Sequence, residues 1–148
     1  MKQLIFKTDD NWASVVLRMI FGIIMMIHAL PKLSSEGYHS FIYFFTQYLQ
    51  LPVVMAWATI FVEVVGSLCL ILGLATRISA VMLFGLFIGM IAFVHWENGF
   101  LMNWNGQMEA GQEGFEYHLL VLAICGTLTI LGGGKLSTDQ LIGKKLNR

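Results

Sequence analysis

Residues 53–77 read VVMAWATIFVEVVGSLCLILGLATR, more than twenty mostly apolar residues with a carboxylate, Glu63, near the centre. At about 1.5 Å per residue such a run spans the hydrocarbon of a bilayer as a helix. A carboxylate at that depth costs roughly 2.5–3.5 kcal/mol on insertion scales, so it must face a bundle interior and find a partner there. The rest of the chain is read by asking what answers Glu63.

Composition supports the membrane reading. The chain is 57% hydrophobic and 12% charged, with a mean hydropathy of +0.71, whereas a soluble domain is usually about a quarter charged. Nine basic residues balance nine acidic ones, so bulk charge points to no nucleic-acid partner. The natural partner is the lipid bilayer. The expected fold is all-α, a polytopic membrane protein forming a four-transmembrane-helix bundle from a single domain, residues 1–148. Its spans are expected at about 12–31, 53–74, 78–96 and 117–133. No small-residue cleavage site follows the first span, and Asp9 and Asp10 precede it, so that span is expected to be retained. In the first outer loop, Phe41, Phe44, Phe45, Tyr48 and Leu49 recur at helical spacing, predicting an interfacial or re-entrant helix. Ser137-Thr138-Asp139-Gln140 has the form of a capping box and predicts a short C-terminal surface helix through Leu146.

Four spans put both termini and the Ala75–Arg77 turn on one side. Lys2, Lys7, Arg77, Lys135, Lys144, Lys145 and Arg148 fall there, against Lys32 alone on the other. By the positive-inside rule the termini are expected in the cytoplasm and the acidic 97–116 loop outside, in a bacterial cytoplasmic (inner) membrane.

Two buried stripes carry charge. Ser14, Arg18, Gly22, Met25 and Ala29 share one face of the first span; Ala56, Thr59, Glu63, Gly66 and Ser67 share one face of the second. Arg18 lies about 9 Å from the inner surface and Glu63 about 16 Å, a gap a guanidinium mostly closes, so an Arg18–Glu63 pair is the first expectation. A second cluster, His28 with Lys32, His95 with Glu97, and Glu116 with His118, gathers at the outer ends of the spans, as in a proton-handling pocket. No His-x-x-x-His or Glu-x-x-His spacing occurs, and no metal site is assigned. Cys69 and Cys125 form no C-x-x-C motif and are expected to be buried, inert thiols. Gly85-x-x-x-Gly89 predicts a close helix–helix contact, inside the bundle or in a homodimer.

HALPKL (His28 to Leu33), VEVVGSLCLILGLATR (Val62 to Arg77), HWENGF (His95 to Phe100) and FEYHLLVLA (Phe115 to Ala123), in that order, resemble the DoxX family over about residues 12 to 142. The family's His-Gly-x-x-Lys reads His28-Ala29-Leu30-Pro31-Lys32 here, departing at the Gly. Its Glu-x-x-Gly step matches at Glu63 and Gly66, and its Glu-Tyr opening at Glu116 and Tyr117. The resemblance implies a four-helix bundle associated with redox chemistry. One founding member looks like a subunit of thiosulfate:quinone oxidoreductase, and a distant class acts in membrane-protein assembly.

The expected function is thus a membrane subunit associated with an oxidoreductase, binding a quinone-like molecule in a polar pocket at the outer half of the bundle. Glu63, His28 and His95 are the expected catalytic residues, and Arg18, Lys32, Glu116 and Tyr117 the expected cofactor-binding residues. The chain carries no haem, flavin or iron–sulfur motif, so electrons would come from a soluble or membrane oxidoreductase partner. Two alternatives stand beside this reading: a non-catalytic binding or assembly protein, and a small-solute or proton pathway.

Overall fold

A computed structural model describes residues 6–106, 108–109 and 112–146. Lys2 and Arg148, two of the expected inner-side charges, lie outside the described residues. Among those described the fold is all-helical: α1 (Ala13–Ala29), α2 (Ser35–Tyr43), α3 (Val53–Leu72), α4 (Thr76–Met90), α5 (Glu116–Leu131) and α6 (Thr138–Leu146). A tight turn continues α1 to Leu33, and wider π turns extend α2 to Tyr48 and α4 to His95. The segments Ala13–Leu33, Val53–Leu72 and Thr76–His95 are long and apolar enough to cross a membrane. The fourth apolar helix, α5, has 16 residues, about 24 Å at helical rise. Helices α1, α3, α4 and α5 pack in a ring, each against its chain neighbour and α5 back against α1.

Both charged stripes face inward as their spacing predicts. The buried face of α1 carries Ser14, Arg18, Gly22, Met25 and Ala29. That of α3 carries Ala56, Thr59, Glu63, Gly66 and Ser67. Outward faces are apolar, with Ile20, Ile27, Phe61, Val81 and Ile130 all exposed, the inverse of a water-soluble bundle. A Cβ at Gly22 would stand 2.9 Å from Ile71 Cγ1 and 3.1 Å from the Ser67 carbonyl, so this glycine sets how closely α1 and α3 approach.

The carbonyls that end α3 are all answered. Gly73, at φ +62°, reverses the chain. Its N–H bonds Leu70 O at 3.1 Å while the Leu74 N–H bonds Cys69 O at 2.9 Å, a Schellman closure. Arg18 donates from Nη1 to Ile71 O at 2.6 Å and Leu70 O at 3.2 Å. Thr138 Oγ1 donates to Leu72 O at 3.0 Å, and the Asp139 N–H to Gly73 O at 2.9 Å. The buried Asp139 carboxylate in turn accepts from the first N–H groups of the next helix, Ala75 at 2.6 Å and Thr76 at 2.9 Å, where a helix dipole favours an anion.

The same end gathers the segment before α1 and the segment after α5. Asp9 N–H donates to Leu131 O, and Lys135 N–H to Asn11 O. Arg77 donates to Lys7 O at 3.0 Å and Ile130 O at 2.7 Å. The expected capping box forms by half. Ser137 Oγ accepts from the Gln140 N–H at 3.1 Å, but the Gln140 side chain reaches Asp10 Oδ1 at 3.0 Å instead of folding back. Asp139→Ala should orphan two amides and lower stability by about 1–3 kcal/mol, read as a lower thermal midpoint in detergent. Asp139→Asn, which keeps one acceptor oxygen, should fall between the two.

Candidate functional site

Arg18 does not meet Glu63. Its guanidinium spends its donors on backbone carbonyls: Nε on Gly133 O at 2.9 Å, Nη1 on Leu70 and Ile71, Nη2 on Leu136 O at 2.8 Å and Lys135 O at 3.3 Å. The physical reason is level. On antiparallel helices Arg18 stands beside the C-terminal carbonyls of α3, which carry the negative end of its dipole, while Glu63 sits about two turns deeper. Five carbonyls within reach outcompete a carboxylate that is not.

Glu63 is answered by Lys32. The ammonium pairs with Glu63 Oε2, with the carboxylate side chain 3% exposed and the lysine 20%. Lys32 follows α1 in the short Leu30–Leu33 turn, and its long stem carries the charge back toward the bundle. Its Nζ also lies 4.5 Å from the centroid of the Phe41 ring, a cation–π contact that ties α2 to the pair. His28, in the last turn of α1, is exposed.

This pair ends a pocket of about 300 Å³ between α3, α4 and the α2 segment. Phe41, Phe44, Phe45 and Leu49 come from the α2 segment, Met55, Thr59 and Val62 from α3, and Met82, Leu86, Met90 and Phe93 from α4. Apart from Lys32, Glu63 and Thr59 the lining is apolar, the composition of a small-molecule site with few placed polar groups. Both π turns, Phe44–Tyr48 and Ile91–His95, contribute wall residues, in keeping with the frequent placement of such turns at functional sites. Four of the five residues on the α2-segment face read from periodicity line the pocket; Tyr48 is exposed, stacked on Phe44 at 5.4 Å.

The outer cluster divides. His95 lies on α4's extension with its ring 4.2 Å from that of His118 on α5, and its Nδ1 is 2.7 Å from Glu113 O. His118 is buried against Phe87, and its Nδ1 has no hydrogen-bond partner within the described protein. Neither histidine lines the pocket. Glu116 accepts from the Met102 N–H and Trp104 Nε1, both at 3.2 Å, and so fastens the loop before α5. Tyr117 is half-buried against the core, and Glu97 is exposed. Cys69 and Cys125 are both free, the second fully buried. Gly85 and Gly89 touch no neighbour within 4 Å at their Cβ positions; they line the pocket and make no close contact inside the bundle. Sequence spacing carried no signal for the Lys32–Glu63 pairing or for these glycines as pocket wall.

A double-mutant cycle separates the two pairings. Lys32→Met and Glu63→Gln should couple by more than about 0.5 kcal/mol in thermal or denaturant stability, whereas Arg18→Leu and Glu63→Gln should add within that margin.

A DoxX family model matches residues 13–96. A protein of Bacillus subtilis (strain 168) named "Putative oxidoreductase CatD" is 33% identical over 134 residues, covering 89% of this chain and 90% of that one. No solved structure matches the chain. With the match running from α1 to the end of α4's extension, through both members of the Lys32–Glu63 pair, the chain belongs to the DoxX family of membrane proteins.

Proposed function

We propose that the protein is a membrane subunit of an oxidoreductase system that binds a quinone-like ring in the pocket between α3 and α4. The observation that carries this reading is a single ion pair, Lys32 with the buried Glu63, in the wall of a cavity otherwise lined by apolar, aromatic and Met side chains and Thr59. The donor set fits a quinone. An ammonium donates to a carbonyl oxygen, a carboxylate beside it takes or returns a proton, and Phe and Met side chains accommodate a flat ring. A bound quinone supplies two-electron, two-proton redox chemistry. This chain's own residues hold the oxygen, exclude water and keep a proton site at Glu63 Oε2, with His28 exposed nearby as a route outward.

Two cysteines on separate helices fall short of an iron–sulfur ligand set, so the electrons are assigned to a partner protein. The relative named as an oxidoreductase supports that association. The basic end, with Lys7, Arg77, Lys135, Lys144 and Lys145, is assigned to the cytoplasm of a bacterial cell, which puts Lys32 on the outer side.

Full-length protein in nanodiscs should be titrated with decylubiquinone, with organic extracts of the gently purified protein analysed in parallel. Binding should raise the thermal midpoint, and Glu63→Gln or Lys32→Met should weaken it at least about tenfold, the loss expected for one charge-assisted hydrogen bond. A wild-type protein that extracts without quinone and gains no stability from it would overturn the reading.

A further inference from the structure

The Gly85–Gly89 step has a depth as well as a face. Glu63 and Gly85 are each eleven residues from Leu74 in the α3–α4 turn, and Thr59 and Gly89 are each fifteen residues from it. On two helices running antiparallel from one turn, equal counts mean equal depth, about 16 Å and 22 Å from the turn. The close approach of Gly66 to Leu83, where an added Cβ would sit 3.3 Å from the Leu83 Cγ, agrees with that register. So the two side chains missing from α4 are missing at the depths of the two polar residues of α3's pocket wall, and all four residues line one cavity. Ordinary side chains at these two wall positions would take up cavity space. In a membrane helix, glycines usually buy close packing. Here the space before both of them is open.

We propose that Gly85 and Gly89 are the specificity-determining residues of the pocket. They form a slot on α4 that admits a flat, membrane-dissolved ring edge-on between α3 and α4, with its oxygen reaching the Lys32–Glu63 pair. The ligand class that follows is a lipid-soluble quinone with an alkyl or isoprenoid tail. A site 16–22 Å from the α3–α4 turn lies inside the hydrocarbon thickness, and the aromatic side chains of the α2 segment wall it on another side. The tail then runs along Met82, Leu86 and Met90 toward the acyl chains. This inference rests on the quinone reading above and adds the residues that set ligand shape.

The test uses Gly85→Leu and Gly89→Leu in the full chain in nanodiscs, with decylubiquinone as probe and Gly126→Leu as control. Gly126 on α5 is equally open at its Cβ but lies outside the pocket. All three variants should fold with thermal midpoints at or above wild type, since each replaces a helical glycine with a stronger helix former. The two pocket variants should bind decylubiquinone at least about tenfold more weakly, and Gly126→Leu should bind as wild type does. Wild-type binding that Gly85→Leu and Gly89→Leu leave unchanged overturns the slot while sparing the quinone site. Native mass spectra in which those two variants lose a dimer present in wild type, with binding intact, also overturn it and give the glycines to a helix–helix interface. Absence of binding in wild type overturns both readings.

Discussion

A helix end buried within the protein is cut off from water, so each amide and carbonyl there needs a partner from the chain. The end of α3 meets that constraint with parts drawn from far along the chain. Arg18 comes from α1, Thr138 and Asp139 from the start of α6, and Gly73 supplies the reversal itself. The consequence is a bundle stitched at one end. The segment before α1, the α3–α4 turn and the α5–α6 connection all share hydrogen bonds. At the opposite end the hydrogen bonds described join residues 95–104 to 113–116, on the α4–α5 side. On the other side α3 and α4 part around a cavity lined by the Lys32–Glu63 pair.

The faces of the helices were legible in the sequence, but their levels were not. Spacing at 3.6 residues identified five of the six buried residues on each helix, missing only Phe21 and Leu70, because a charge or a glycine on an apolar helix has only one tolerable direction to point. Pairing Arg18 with Glu63 required the relative heights of two helices to within a turn, and nothing local fixes that. The winning partners of Arg18 were backbone carbonyls, which every residue possesses and no side-chain pattern reveals. Lys32 was read as lying in the outer loop, yet its flexible stem returns its charge to the bundle.

The supposed outer cluster separated for a related reason. His28, His95 and His118 lie near the same ends of their helices, but around a four-helix ring similar height does not mean the same face. His95 and His118 meet as tilted rings across the α4–α5 seam, while the pocket belongs to α3, α4 and the α2 segment. Glu116 went to the loop that precedes it, where its carboxylate accepts from the Met102 N–H and the Trp104 indole N–H. The aromatic face of the α2 segment, by contrast, was readable in advance, since its periodicity is local.

The closed Lys32–Glu63 pair sums to zero charge, so in that state the pocket is nearly blind to the electrical potential across the membrane. A unit charge crossing the full potential exchanges about 2.3 kcal/mol per 100 mV. Any event that neutralises only one partner leaves a single charge part-way through that field. Under the proposed function, proton exchange at Glu63 would therefore also be a voltage-dependent step. An energised membrane and a depolarised one would then set different resting states for the same two side chains.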